Sequence, residues 1–340
     1  MKESTLNLRP GDRVRAKSID EILSTLDEAM ALEHLPFMPE MLEYCGKTYH
    51  VYKRADKTCD TINKSGGRRM QKTVHLDNLR CNGKAHGDCE ASCLLFWKEV
   101  WLEKVDENQT INNNENTRQL SSKNYTSSFN LLSQSAQVAD NEGTVNYKCQ
   151  ATELYKASSP LAWWDLRQYW RDLRTKNVKP GRMLRVFVNR ILLALTGLGI
   201  GYRFSVSVYN RFQRLLGGVE FPFKGGSLKK TPALRLDLKA GELVRIKPYA
   251  EILKTLDKNN RNRGLYFDAE MVQYCGSTFR VLKRVTRIID EKDGRMINLP
   301  NDCVILEGAV CSGDFSAKRL FCPRSIYPYW REIWLERIND

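Results

Sequence analysis

Histidine is the scarcest chemical resource of this 340-residue chain. There are four (His34, His50, His75 and His86), and all lie in the first 86 residues. A general base shared by both halves of the chain therefore cannot be an imidazole. Long apolar runs are also lacking. The longest, residues 191–200, is about half of the roughly 20 residues that a spanning helix needs, so no transmembrane helix is expected. The N-terminal residues lead straight into charged sequence without an apolar h-region. No secretory signal is expected, and the reading is cytoplasmic, with a peripheral position at the inner face of the membrane as an option. No phosphate-binding glycine loop, nucleophile elbow or His-Glu-x-x-His motif occurs, so nothing positive argues for an enzyme.

What is present is the composition of a folded protein: 42% hydrophobic residues, with seven Trp, 14 Tyr and 12 Phe. The length suffices for two or three domains with real cores. The net charge of +14 is concentrated in one place. Between Lys148 and Lys230 there are 16 Lys/Arg against four Asp/Glu, while the remainder is nearly balanced. That distribution argues against a protein whose whole surface cradles a polyanion.

Comparing the chain with itself at fixed offset uncovers a duplication. Leu8, Gly11, Val14, Arg15 and Lys17 return 230 residues later as Leu238, Gly241, Val244, Arg245 and Lys247. The same offset relates Glu21-Ile22-Leu23 to Glu251-Ile252-Leu253, Phe37 to Phe267, Glu40-Met41 to Glu270-Met271, and Tyr44-Cys45-Gly46 to Tyr274-Cys275-Gly276. After a drift through loops of unequal length, Phe96–Val105 aligns with Tyr329–Ile338, five of ten positions being identical. Each copy reads as a Gly turn, a short strand at Val14 or Val244, and a two-turn helix, N-capped by Ser18 in the first copy. Further alternating strands follow. The last of them would place Trp97, Glu99 and Trp101 on one face. The shared carboxylates Asp60/Asp290, Glu99/Glu332 and Glu103/Glu336 are expected to pair with Lys and Arg rather than perform acid–base catalysis.

The opening Pro10-Gly11-Asp12-Arg13-Val14-Arg15 and the closing Glu99-Val100-Trp101-Leu102-Glu103 resemble the first and last strands of SH3-like barrels of the KOW and nitrile-hydratase β-subunit kind. The longer pattern from Tyr44-Cys45-Gly46, with Cys322-Pro323-Arg324-Ser325 leading into Trp330-Arg331-Glu332-Ile333-Trp334, resembles an uncharacterised family of bacterial hypothetical proteins with tandem Cys-containing modules. The resemblance implies a fold and no activity. The expected architecture is mainly β with α insertions: two tandem SH3-like small-barrel modules (1–105 and 231–340), joined by a flexible polar linker (106–147) and a basic, aromatic-rich helical segment (148–230).

Ten cysteines without an export signal read as thiols or metal ligands before disulfides. Cys275, Cys303, Cys311 and Cys322 could form one four-thiolate zinc site. Cys81, Cys89 and Cys93, completed by Cys45, could form another, with His86 as a competing ligand. One structural zinc per module is the metal reading; it lacks Cys-x2-Cys knuckles, and buried thiols or disulfides are the alternatives.

In the middle segment, Trp163, Trp164, Leu166, Trp170 and Leu173 have helical spacing beside Arg167, Arg171 and Arg174. Such a helix suits docking on an anionic membrane surface or a protein partner, or packing within the protein. Segments from Arg182 and from Val206 read as further helices. The functional expectation is a non-enzymatic adaptor or accessory protein. Its modules would bind a protein partner through an aromatic face at Trp97, Trp101, Trp330 and Trp334, with barrel core as the competing reading. A KOW-like nucleic-acid-binding protein and a metal-dependent enzyme or accessory factor of a bacterial biosynthetic pathway are the alternatives.

Overall fold

The structure is a computed structural model that describes residues 6–105, 122–139, 143, 145–197, 202–215, 225–316 and 318–338. It is mainly β with some helices and divides into two compact units. One comprises Met1–Asn177, Arg287–Asn298 and Cys322–Arg324; the other comprises Val178–Thr286, Leu299–Phe321 and Ser325–Asp340.

The first unit is built on a curled five-stranded sheet in the order Leu94–Lys98, Thr73–Arg80, Thr48–Arg54, Arg13–Ala16, Leu102–Lys104. The Trp-rich closing segment is not the single strand expected. Leu94–Lys98 pairs with Thr73–Arg80, a 3-10 turn intervenes at Glu99–Trp101, and Leu102–Lys104 then pairs with Arg13–Ala16. The turn carries the chain from one edge of the sheet to the other, which curls the sheet into a half-barrel. Trp97 and Trp101 fall inside that curl, fully buried, each edge-on to Phe37. Trp101 Nε1 donates to Thr25 Oγ1 at 3.0 Å, tying the closing segment to the end of the first helix. That helix, Ile19–Leu23, is capped by Ser18, with Glu21 reaching back to the Ser18 amide.

The second sheet repeats these registers. Val14 lies opposite Tyr49 and Lys104, and Val244 lies opposite Phe279 and Arg337. Its order is Met296–Leu306, Thr278–Ile289, Leu243–Ile246, Leu335–Arg337. Val304 bridges Trp330 as Val74 bridges Trp97. Trp334 Nε1 donates to Thr255 Oγ1 at 2.9 Å, the counterpart of the Trp101–Thr25 bond.

Each sheet is pinned by an arginine, buried in the first and partly exposed in the second. Arg54 Nη1 donates to the Leu8 carbonyl and to Glu99, and its Nε and Nη2 hold Asp56. Arg284 likewise donates to the Leu238 carbonyl and to Glu332, with Asp302 as its carboxylate neighbour.

Residues 106–147, expected as a flexible linker, are ordered where described. Ser122–Ser135 is a helix, and Gln137–Ala139 pairs with Val145–Tyr147. Leu132 and Ala136 are buried in the first core, with Phe129 packed against it. Three apolar residues at i, i+3 and i+7 suffice to anchor a helix whose average composition is polar. The segment after it contains helices Leu166–Arg174, Pro180–Gly197 and Tyr202–Leu215. The first starts later than its aromatic spacing suggests, because Ser159–Leu161 is a strand paired with Gly67–Arg69. No helix among the described residues is long and apolar enough to cross a membrane.

Replacing Arg54 with Met leaves the buried Glu99 carboxylate without its cation. The expected loss is about 3–5 kcal/mol, as for breaking one side of a buried ion pair, read as a lower urea midpoint of the first unit by tryptophan fluorescence.

Candidate functional site

The chemistry-bearing residues of the first unit converge beneath the loop that follows strand Thr73–Arg80. Cys81 directly follows that strand, and its amide donates to the Cys93 carbonyl at 2.8 Å, closing the loop at its base. Inside the loop, Gly83 has φ +74°, and a Cβ there would lie 2.0 Å from the Cys89 carbonyl oxygen. Only glycine fits that turn. The His86 amide donates back to the Gly83 carbonyl, and the tightened loop brings His86 Nε2 to 3.2 Å from Cys81 Sγ. The third member is Glu40, in the 3-10 helix Pro39–Tyr44, only 5% exposed. The donor atoms of Glu40, Cys81 and His86 all lie within 4.8 Å of one another. Neither carboxylate oxygen of Glu40 has a hydrogen-bond partner, and neither does His86 Nδ1.

These three residues border a small cavity of about 40 Å³, lined also by Cys89, Cys93, Cys149, Glu291 and Arg324. Arg324 is buried and donates to Glu291 at 2.7 Å and to Thr61 at 3.1 Å. Burial pushes the Cys93 thiol up to about 12 and that of Cys149 up to about 11. Cys81 is pushed well above the usual thiol range by burial and then by the Glu40 carboxylate. Burial holds His86 below its ordinary value, with Glu40 acting in the opposite direction.

The chain matches no family model, no curated protein and no solved structure. The site is therefore read from its own residues. Of the cysteines expected as zinc ligands, Cys81, Cys89 and Cys93 share this cavity, whereas Cys45 packs elsewhere, its thiol directed at the Met41 carbonyl. Cys275, Cys303, Cys311 and Cys322 belong to no ligand cluster among the described residues; Glu40, Cys81 and His86 form the cluster that does occur there. Cys303 Sγ instead faces the Val285 carbonyl, and Cys275 packs against the second core. Cys149 and Glu40 escaped the sequence reading. Cys149 has no counterpart in the duplication, and Glu40 looks unremarkable because Glu270 aligns with it.

The tryptophans divide sharply. Trp97, Trp101, Trp330 and Trp334 are 0% exposed. The expected aromatic partner-binding face is thus core: the four indoles lie within the two hydrophobic clusters. Trp163, Trp164 and Trp170 are instead 53%, 67% and 69% exposed, with Leu166 beside them. Helix Leu166–Arg174, capped by Asp165, turns Tyr169 and Asp172 inward. Asp172 pairs with Lys57, whose ammonium also lies 5.2 Å over the Tyr169 ring. Asp165 is held by Arg167 and Arg69. The outward charges of the helix, Arg167, Arg171 and Arg174, are all positive. Next to it an open groove of about 560 Å³ is lined by Arg9, Arg54, Arg69, Lys72, Arg171 and Arg174, with Asp56 as its one carboxylate.

Burial pushes the Cys45 and Cys275 thiols up to about 12, so at pH 8 both stay protonated. Iodoacetamide at pH 8 is expected to leave these two unmodified in the native protein and to alkylate all ten cysteines in guanidinium, as read by peptide mass spectrometry.

Proposed function

We propose that this chain is a non-enzymatic adaptor. In this reading two SH3-like modules frame a helical segment, and the basic helix Leu166–Arg174 docks on an anionic membrane surface. The observation that carries the reading is the polarity of that helix. Trp163 and Trp164 just before the helix, and Leu166 and Trp170 on it, face solvent among arginines, while the cap Asp165 and Asp172 are held by Arg69 and Lys57. Indoles favour the headgroup depth of a bilayer, and guanidinium groups meet anionic lipid there. The adjacent groove supports the same ligand chemistry: Arg9, Lys72, Arg171 and Arg174 line it, while its other two cations, Arg54 and Arg69, already hold Asp56, Glu99 and Asp165. The docking is peripheral, through one short helix and its basic surround. Such contacts are reversible unless a second signal adds to them.

The same groove favours a second reading, single-stranded nucleic acid, whose bases would stack on the exposed indoles. The two separate in one experiment on the full-length protein. Flotation with vesicles of phosphatidylcholine and phosphatidylserine is expected to carry the protein, and pure phosphatidylcholine is not. Arg171→Glu and Arg174→Glu should each weaken vesicle binding at least roughly fivefold, from about 1 kcal/mol per cation near an anionic surface. Failure to float, with salt-sensitive binding of a labelled single-stranded oligonucleotide, would replace the membrane reading with the nucleic-acid one.

A further inference from the structure

Two carboxylates at equivalent positions of the duplicated sequence meet opposite surroundings. Glu270 is buried and saturated with donors. It accepts from the amides of Ser312, Gly313 and Phe315 and from the Ser312 hydroxyl, at 2.6–3.1 Å. The loop after Cys311 wraps the carboxylate in backbone N–H groups, and the charge is met by hydrogen bonds alone.

Glu40 lies 230 residues earlier, equally buried, and nothing donates to either oxygen. The loop after Cys81 takes a different course. His86 stands where the second copy has Ser316, and its ring turns toward the Cys81 sulfur. A carboxylate taken out of water needs donors, a proton or a cation. Beside this one stand a thiol sulfur and an imidazole nitrogen, both of which are metal ligands.

We propose that Glu40, Cys81 and His86 hold one divalent transition-metal ion, and that the site exists only in the first half of the chain. The donor set selects the ion. Sulfur and imidazole disfavour magnesium and calcium, which take oxygen ligands, and one of each with a carboxylate suits zinc. The spacing agrees: ligands about 2.0–2.3 Å from a tetrahedral zinc lie roughly 3.3–3.7 Å apart. Cys81 Sγ and His86 Nε2 are at 3.2 Å, and all three donors fall within 4.8 Å, close enough for small side-chain adjustments to complete the shell.

The cavity beside them decides what the ion does. At about 40 Å³ it has room for roughly three waters. The fourth ligand comes from this space, as water or as one of the thiols of Cys89, Cys93 and Cys149. The ion is a staple between the 3-10 helix Pro39–Tyr44 and the loop 82–92. In the second half of the chain, hydrogen bonds to Glu270 perform the same fastening without metal.

The test uses cobalt(II) as a spectroscopic substitute for zinc on the full-length protein, purified under reducing conditions and stripped with chelator. One equivalent is expected to bind, with a thiolate-to-cobalt charge-transfer band in the near ultraviolet and tetrahedral ligand-field bands in the visible. Cys81→Ser should abolish the charge-transfer band, Glu40→Gln and His86→Gln should weaken cobalt binding at least tenfold, and Cys311→Ser and Glu270→Gln should leave the spectrum unchanged. Circular dichroism of each variant verifies folding, and zinc should raise the melting temperature of the unmodified protein but not of Glu40→Gln. Two equivalents per chain, a charge-transfer band that survives Cys81→Ser, or a Glu40→Gln protein still stabilised by zinc would overturn the proposal. None of these outcomes bears on membrane docking, which rests on a different surface.

Discussion

The rest of each sheet depends on one guanidinium, buried in the first sheet and partly exposed in the second. Arg54 reaches from the second main strand to the arm before the first strand, through the Leu8 carbonyl, and to the closing segment, through Glu99. Arg284 makes the same two connections through Leu238 and Glu332. Removing two charges from water offsets most of their attraction, so such a pair adds little net stability. Its effect lies in the arrangements it forbids. A one-residue slip of strand Thr48–Arg54 would turn Arg54 to the other face and leave Glu99 buried without a cation. The hydrophobic pattern of these short strands is too brief to impose a single register, and the ion pair supplies what it lacks. Glu332 shows how far the arrangement is satisfied: burial alone would raise its pKa, yet backbone amides of Leu236, Asp237 and Leu238 together with Arg284 hold it below the usual carboxylate range.

Much of this was legible in the sequence because the duplication samples each position twice. Val14 and Val244, Ser18 with its helix, and the strands around Val74 and Val304 all stand where periodicity and capping residues placed them. The expected pairing of Glu99 and Glu332 with basic residues is found, with Arg54 and Arg284. What was not legible is where a strand breaks. Phe96–Val105 alternates without glycine or proline, and no residue in it announces the 3-10 turn. That turn carries the chain between the two edges of the sheet, and the four tryptophans beside it lie in the core.

The polar stretch around Ser122–Ser135 misleads in a related way. Its composition is that of a linker, yet Phe129, Leu132 and Ala136 share one face and meet a core that already exists. Averages over a segment discard such placement. For the cavity residues the difficulty was reversed, since duplication itself concealed Glu40. A carboxylate present in both copies invites the same explanation twice, although the loops above the two have diverged. The cysteines were visible as candidates, but thiol count and spacing could not separate those facing one cavity from those, like Cys45 and Cys275, that fill space as small apolar groups.

The sorting of the seven indoles has a spectroscopic consequence. Four lie in fully dry surroundings, three protrude on one short segment, and none occupies an intermediate position. Emission from the first group is blue and shielded from collisional quenchers such as iodide, whereas the second emits red and is quenched. The protein thus carries two optically distinct reporters without any label. The blue population follows the integrity of the two curled sheets, and the red one responds to whatever covers the helix Leu166–Arg174. Folding and docking can be watched at the same time in a single cuvette.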